Sequence, residues 1–263
     1  MVKADTLKEI IQKKKEKTLL AKQALPEEEL KARLQGLPAA RPFIEAISRR
    51  GEISLIAEIK KASPTLGIIR ENFNLLEISS AYKEAGVQAV SVLTEEDFFL
   101  GNISYINEAK NLIDVPILRK DFILEPYQVY ESRAYGADAV LLIAELLNQE
   151  AISQLVEIAS GIGLDCLVEV HTDKELKKIL KLKGISLIGI NNRNLHTLEV
   201  DSKTTEKLFP LIPKDKTVVV ESGIKSYQDV LFLKILGVSA LLIGSAFMQA
   251  YDINKKVEEV MGW

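Results

Sequence analysis

The chain has 263 residues, 34 Lys+Arg against 37 Asp+Glu, and a formal net charge of −3. A hydrophobic content of 47% is enough for a sizeable core and excludes wholesale disorder, and the near-neutral balance argues against a dedicated nucleic-acid or membrane-surface protein. The single cysteine, Cys166, excludes an internal disulfide framework and a Cys-rich zinc site. The opening MVKADTLKEIIQKKKEK has no apolar core of signal-peptide length, and no later run is long and apolar enough to span a bilayer, so a cytoplasmic protein is expected.

Residues 1–50 are rich in Lys and Glu and read as a helical extension. Thr6 and Glu9 have capping-box spacing, and Leu7, Ile10 and Ile11 begin an apolar stripe. The KKKEK run that follows reads as a solvated helix face. Pro26 opens a second helix with Glu27, Glu28 and Glu29 in its first turn, where negative charge suits the helix dipole. Leu30, Leu34 and Leu37 are expected to supply its buried face. A third short helix is expected at 43–48, after Pro38 and Pro42. The extension is expected to cap the top of the following domain and help close its pocket.

From Ile53 the texture changes. Short apolar, β-branched runs are expected as strands at 53–59, 89–93, 115–118, 139–143, 165–170, 186–190, 217–220 and 240–243. Amphipathic stretches such as 75–85, 150–160, 174–182 and 227–236 separate them. Gly86, Gly136, Gly184 and Gly237 each stand between a helical stretch and the next strand, where a helix C-terminus wants a left-handed residue. Alternating βα units make a parallel sheet, open or closed. Eight units favour a closed (β/α)8 TIM barrel over residues 51–263, in one domain with the N-terminal helical extension. The open, doubly wound alternative usually carries a Gly-rich turn after its first strand, and IKKASPT is not one.

In a barrel, alternate strand residues point inward and the C-terminal strand ends carry the active site. Glu58 and Lys60 lie two apart in SLIAEIKK; Lys120 closes VPILRK; Glu169 lies in DCLVEVH; Asn191 and Arg193 close SLIGINNR; Glu221 and Ser222 close VVVES. One such buried charge is readily a structural ion pair, but charges at five strand ends would converge on one rim and shift each other's pKa values. Ser222-Gly223 and Gly244-Ser245 end the last two strands, where barrels often hold a phosphate.

The strings AEIKKASPT, LTEEDFFLGN, PILRKDFI, ADAVLLIA, LVEV, IGINNRNL, VVVESGI and LIGSAFM occur here in that order. In this the chain resembles the indole-3-glycerol-phosphate synthase family of tryptophan biosynthesis. The resemblance implies a carboxy-lyase without metal or other cofactor, acting on 1-(2-carboxyphenylamino)-1-deoxyribulose 5-phosphate. It implies that Lys120 is the general acid of ring closure and Glu169 the carboxylate that removes a proton later. Lys60 would face the substrate carboxylate and serve as an acid in dehydration. Glu58, Asn191, Glu221 and Ser222 would complete the polar shell, and Arg193 would lie on the carboxylate side. Gly223, Gly244 and Ser245 would hold the phosphate, with Ser63 at its edge. Phe99, Phe122, Leu141 and Leu195 would wall the anthranilate ring. Burial and neighbouring cations are expected to depress the lysine acid's pKa. A monomer acting on a small phosphorylated molecule is expected, with association with other pathway enzymes left open, and with neither nucleic acid nor membrane as partner.

One departure stands out. Some members of the family carry an aromatic residue in the N-terminal helix that touches substrate, whereas the only tryptophan here is Trp263. His171 and His196, the only histidines, read as polar loop residues, and Cys166 as a small packed side chain. Two rival readings share the phosphate loops: another phosphosugar barrel enzyme such as an isomerase, and a catalytically silent barrel that binds a phosphorylated ligand or a partner subunit.

Overall fold

The structure is a computed structural model and describes residues 6–263. β1 (Ser54–Ile59) is followed by a small antiparallel hairpin, β2 (Ala62–Ser63) and β3 (Gly67–Ile68). Then come β4 (Ala89–Leu93), β5 (Ile117–Lys120), β6 (Ala139–Ile143), β7 (Asp165–Val170), β8 (Leu187–Asn191), β9 (Thr217–Glu221) and β10 (Ala240–Ile243). All but the hairpin close into one parallel barrel in the order β1-β10-β9-β8-β7-β6-β5-β4, with helices outside. This is a (β/α)8 TIM barrel. The eight expected strands lie within two residues of their observed positions. The largest difference is at 115–116, where Pro116 has no N–H to give a sheet and the strand begins at Ile117 instead. The hairpin is an addition: no strand was expected between 59 and 89, yet residues 62–68 fold back on themselves beside the barrel mouth.

The barrel strands are buried on both faces, which explains their nearly continuous apolar sequences. Ile56, Leu118, Leu141, Leu167, Leu187, Val219 and Leu242 point inward and pack into one interior core. Residues one step along, such as Leu55, Val168 and Val220, face the outer helices. Gly86, Gly136, Gly184 and Gly237 all take positive φ, as the helix-to-strand turns require.

The extension embraces both ends of the barrel, not only the top. α1 (Thr6–Ala24) lays Ile10 on the interior core from above, with Leu7 and Ile11 partly buried against it. Thr6, the expected cap residue, lies within α1. α2 (Glu27–Arg33) runs beside the helix Pro126–Ala134. α2 ends at Arg33, so only Leu30 supplies its buried face; Leu34 is half-buried and Leu37 exposed. α3 (Phe43–Ile47) plugs the barrel from below with fully buried Phe43 and Ile47. Asp165 holds α3 by accepting the Ile44 N–H at 3.0 Å.

The KKKEK run is not simply solvated. Lys14 is buried on α1 and pairs with Asp121 at 2.9 Å and Glu96 at 3.0 Å. Lys17 pairs with Asp97 at 2.9 Å. A basic run thus docks α1 onto the acidic loop after β4 and onto the end of β5. Arg119 and the Thr94 hydroxyl complete the shell of Asp121, at 3.0 and 2.6 Å. Burial opposes the Asp121 charge, but Arg119 and Lys14 outweigh it and hold its carboxyl down at about 2.

Candidate active site

One cavity of about 1180 Å³ opens at the C-terminal ends of the strands. Its lining includes all sixteen residues singled out from the sequence: Glu58, Lys60, Ser63, Phe99, Lys120, Phe122, Leu141, Glu169, Asn191, Arg193, Leu195, Glu221, Ser222, Gly223, Gly244 and Ser245. Thr6, Leu7 and Ile10 of α1 add a wall to it, as expected of an extension that helps close the pocket. Trp263 is not part of the lining.

The two-residue strand period explains this convergence. Glu58 follows inward Ile56, Lys120 follows Leu118, Glu169 follows Leu167, and Glu221 follows Val219, each two residues on. Asn191 lies four residues beyond inward Leu187, with Gly189 between them. Each of these five strands therefore ends its apolar interior with a polar group pointing into the cavity.

Lys120 lies at the centre. Its Nζ is 3.1 Å from Glu169 Oε2 and 3.0 Å from Glu221 Oε2. Lys60 pairs with Glu58 at 2.5 Å. The expected depression of the lysine pKa is not what this environment produces. Burial does pull the Lys120 ammonium down, but the charges of Glu169, Glu221 and Glu58 outweigh it and raise its pKa above the ordinary lysine value. The two carboxylates sharing it diverge. Burial disfavours the Glu169 charge, yet Lys120 and His171 together hold it below the usual carboxylate range. Burial dominates at Glu221 and, with repulsion from Glu169, pushes it up to about 8 despite Lys120. Glu221 Oε1 is buried without a hydrogen-bond partner.

The loops around the cluster are pinned. Glu95, fully buried, accepts the N–H groups of Asp97, Phe98 and Phe99 at 2.8–3.0 Å and so fixes the loop that presents Phe99. The rings of Phe99 and Phe122 lie 6.3 Å apart and tilted by 43°. Asn191 Oδ1 accepts the Arg193 N–H at 2.9 Å, and the Arg193 guanidinium donates to the Leu198 carbonyl at 2.7 Å. Asn192 donates to the Ser222 carbonyl at 3.1 Å. Ser222 has φ 67°, a left-handed conformation that costs a non-glycine residue ~1–2 kcal/mol and survives only where neighbours enforce it. Gly244 is required for a different reason: a Cβ there would collide with the Glu58 side chain, so the carboxylate reaches the cavity only across a glycine.

His171, read from the sequence as a polar loop residue, directly follows β7 and is nearly buried. It lies two residues beyond Glu169, on the same side of the strand line, and its Nε2 is 3.2 Å from Glu169 Oε1. The same two-residue spacing links Glu58 with Lys60. His196, by contrast, is exposed and pairs with Glu145 at 2.5 Å. Cys166 is half-buried against the outer helices, a small packed side chain as expected.

The sequence model of the family described as indole-3-glycerol phosphate synthase matches residues 7–260. The chain is 49% identical over 229 residues to the indole-3-glycerol phosphate synthase of Acetivibrio thermocellus, covering 87% of this chain and 88% of that one. It is 48% identical over 258 residues to that of Caldanaerobacter subterraneus subsp. tengcongensis, covering 97% and 99%. Among solved structures, a chain of the tryptophan synthase α2β2 complex of Pyrococcus furiosus matches with TM-score 0.60 at 18% identity, covering 80% of this chain and 98% of that one. KGPDC from Streptococcus mutans matches with TM-score 0.62 at 14% identity, covering 80% and 96%. At those identities the two structures share the fold alone.

Proposed function

The chain belongs to the indole-3-glycerol phosphate synthase family, and from that premise we propose how the mouth of its barrel carries out the reaction. The enzyme is a carboxy-lyase. It converts 1-(2-carboxyphenylamino)-1-deoxyribulose 5-phosphate into indole-3-glycerol phosphate, carbon dioxide and water. The ring carbon bearing the carboxylate attacks the C2 carbonyl of the sugar; carbon dioxide leaves next, and then water.

The observation that carries the assignment of roles is the pair of contacts at Lys120, with one carboxylate held ionised and the other raised. Two acids whose environments drive their pKa values apart are suited to different tasks. Lys120 stays protonated throughout the neutral range and donates to the C2 oxygen as negative charge develops there. Glu169, kept ionised, removes the proton in the later steps. Glu221 is the protonated neighbour that shares Lys120. Lys60, paired with Glu58, meets the substrate carboxylate and supplies an acid for dehydration, with Arg193 on the same side. Asn191 and Ser222 complete the polar shell.

The substrate is anionic at both ends and flat in the middle. The Phe99–Phe122 pair with Leu141 and Leu195 offers the apolar walls for its ring. Gly223, Gly244 and Ser245, with Ser63 at the edge, form the small-residue end of the cavity suited to the phosphate. Anchoring both ends folds the chain of the substrate so that the reacting carbons meet.

We also read residues 1–263 as one domain, with 1–50 as the extension and 51–263 as the barrel; the support is Phe43 and Ile47 buried inside the barrel core. A monomer is the state we propose for the enzyme in solution. No helix among the described residues is long and apolar enough to cross a membrane, which fits a cytoplasmic enzyme. The assignment is tested by following indole fluorescence with the named substrate: wild type forms product, and Glu169→Gln and Lys120→Ala each lose most turnover. Near wild-type rates in either variant overturn that residue's role.

A further inference from the structure

His171 is more than a neighbour of the cavity. Its side chain is 6% exposed and lies between two sets of carboxylates. On the cavity side, Nε2 is 3.2 Å from Glu169 Oε1, while the other oxygen of the same carboxylate faces Lys120 at 3.1 Å. On the solvent side, Nδ1 is 3.3 Å from Glu175 Oε2 and 3.9 Å from Glu145 Oε2. Glu175 also accepts the His171 backbone N–H at 2.7 Å and the Thr172 hydroxyl at 2.7 Å, so this anchor is itself held. The three acids come from three elements: β7, the helix Asp173–Ile179 and the turn Ala144–Leu146. The cleft outside the ring is also lined by Asp173 and Lys207. Lys178 donates to the carbonyls of Ala144 and Leu147.

We propose that His171 is a positioning residue for Glu169: seated between Glu169 and the Glu175–Glu145 pair, its imidazolium holds the Glu169 carboxylate charged and turned toward Lys120. The inference rests on the reading of Glu169 as the base of the later steps. The geometry gives each oxygen of Glu169 its own cation, so neither is free to rotate away or to take a proton cheaply. Glu175 and Glu145 supply the negative charge that keeps a buried imidazole protonated. Burial works against that charge, but Glu169 and Glu175 together push the imidazole up to about 10. Nε2 and Glu169 Oε1 form an ion-pair contact at 3.2 Å.

The proposal is tested on the full-length enzyme with His171→Gln, His171→Asn and Glu175→Gln, following kcat and KM from about pH 3 to about pH 8, a window that includes the range of a lowered carboxylate. With the cation gone, the Glu169 pKa rises, so the acid limb of kcat moves to higher pH by about one unit, while KM stays within about twofold. Glu175→Gln moves the limb the same way by less. In a Glu169→Gln background, His171→Gln has no further effect on kcat, because the two act through one group. An unshifted acid limb, or equal losses in both backgrounds, overturns the proposal. If Glu169→Gln itself turns over normally, the reading of Glu169 as base fails instead, and the two failures are told apart. Should the His171 variants not fold, imidazole 15N shifts of the wild-type protein decide: a neutral His171 ring at about pH 8 overturns the inference and a charged one supports it.

Discussion

Both rims of the barrel bury charge, but they treat it differently. At the bottom rim, Asp138 accepts the N–H groups of Arg41 and Ile117 at 2.6 and 2.8 Å and pairs with Lys110. Arg41 in turn donates to the carbonyls of Ile113 and Val115 at 2.7 and 2.9 Å. Every partner there belongs to the protein, and the result stitches the extension to the strand starts. At the top rim, Glu169 and Glu221 compete for one ammonium, Glu221 Oε1 has no hydrogen-bond partner, and the pKa values of the pair diverge. A buried charge with all its partners supplied is structural; one with an opening left in its shell is ready for a ligand.

Substitutions at the two rims should therefore fail in different ways. The largest effect is expected from Lys120→Ala: turnover falls at least ~100-fold while the melting curve changes little, as for loss of a general acid. Steady-state kinetics and a thermal melt on the same sample check it, and a large loss of stability would put Lys120 with the structural charges. Asp138→Ala is the mirror image. It strands the partners of a buried carboxylate and costs about 3 kcal/mol in denaturant unfolding, with kcat of the folded fraction near wild type. A catalytic defect without destabilisation would erase the contrast between the rims.

Deleting residues 1–40 removes the Thr6, Leu7 and Ile10 wall and leaves Asp121 without Lys14. We expect about a tenfold loss of kcat/KM, and unchanged affinity and turnover would show that α1 does not close the pocket. Ser245→Ala should be milder, raising KM a few-fold, by about 1 kcal/mol of substrate binding, and sparing kcat. The smallest effect is in the pH dependence of stability. Glu221 holds its proton up to about 8, well above the value expected in the unfolded chain. Its contribution is therefore full at acid pH and is lost as pH rises toward about 8. Glu221→Gln abolishes that decline, so its stability relative to wild type should increase with pH across the window. Parallel curves in chemical denaturation would argue against a raised Glu221.

The sequence was most legible where a local pattern had one physical meaning. Parallel strands buried on both faces must read as short apolar runs, and glycines after helices must mark turns, so eight units could be counted without coordinates. The inward groups were legible through the two-residue period and the family motifs, from Glu58 to Ser245. The contacts of His171 were not legible because Glu145 and Glu175 come from other elements. Lys14 looked like one solvated lysine among several, since nothing in KKKEK says which of them will meet Asp121. The hairpin 62–68 and the lower plug of Phe43 and Ile47 were hidden for the same reason.

What the chain determines locally is the alternation of strand and helix, the closure of eight units, and the residues that end each strand. These follow from short-range hydrophobic periods and turn chemistry. Tertiary structure alone decides which oxygen faces which ammonium, and so which acid keeps its proton. Such differences arise from burial and from charges a few ångströms away in space, between residues far apart along the chain.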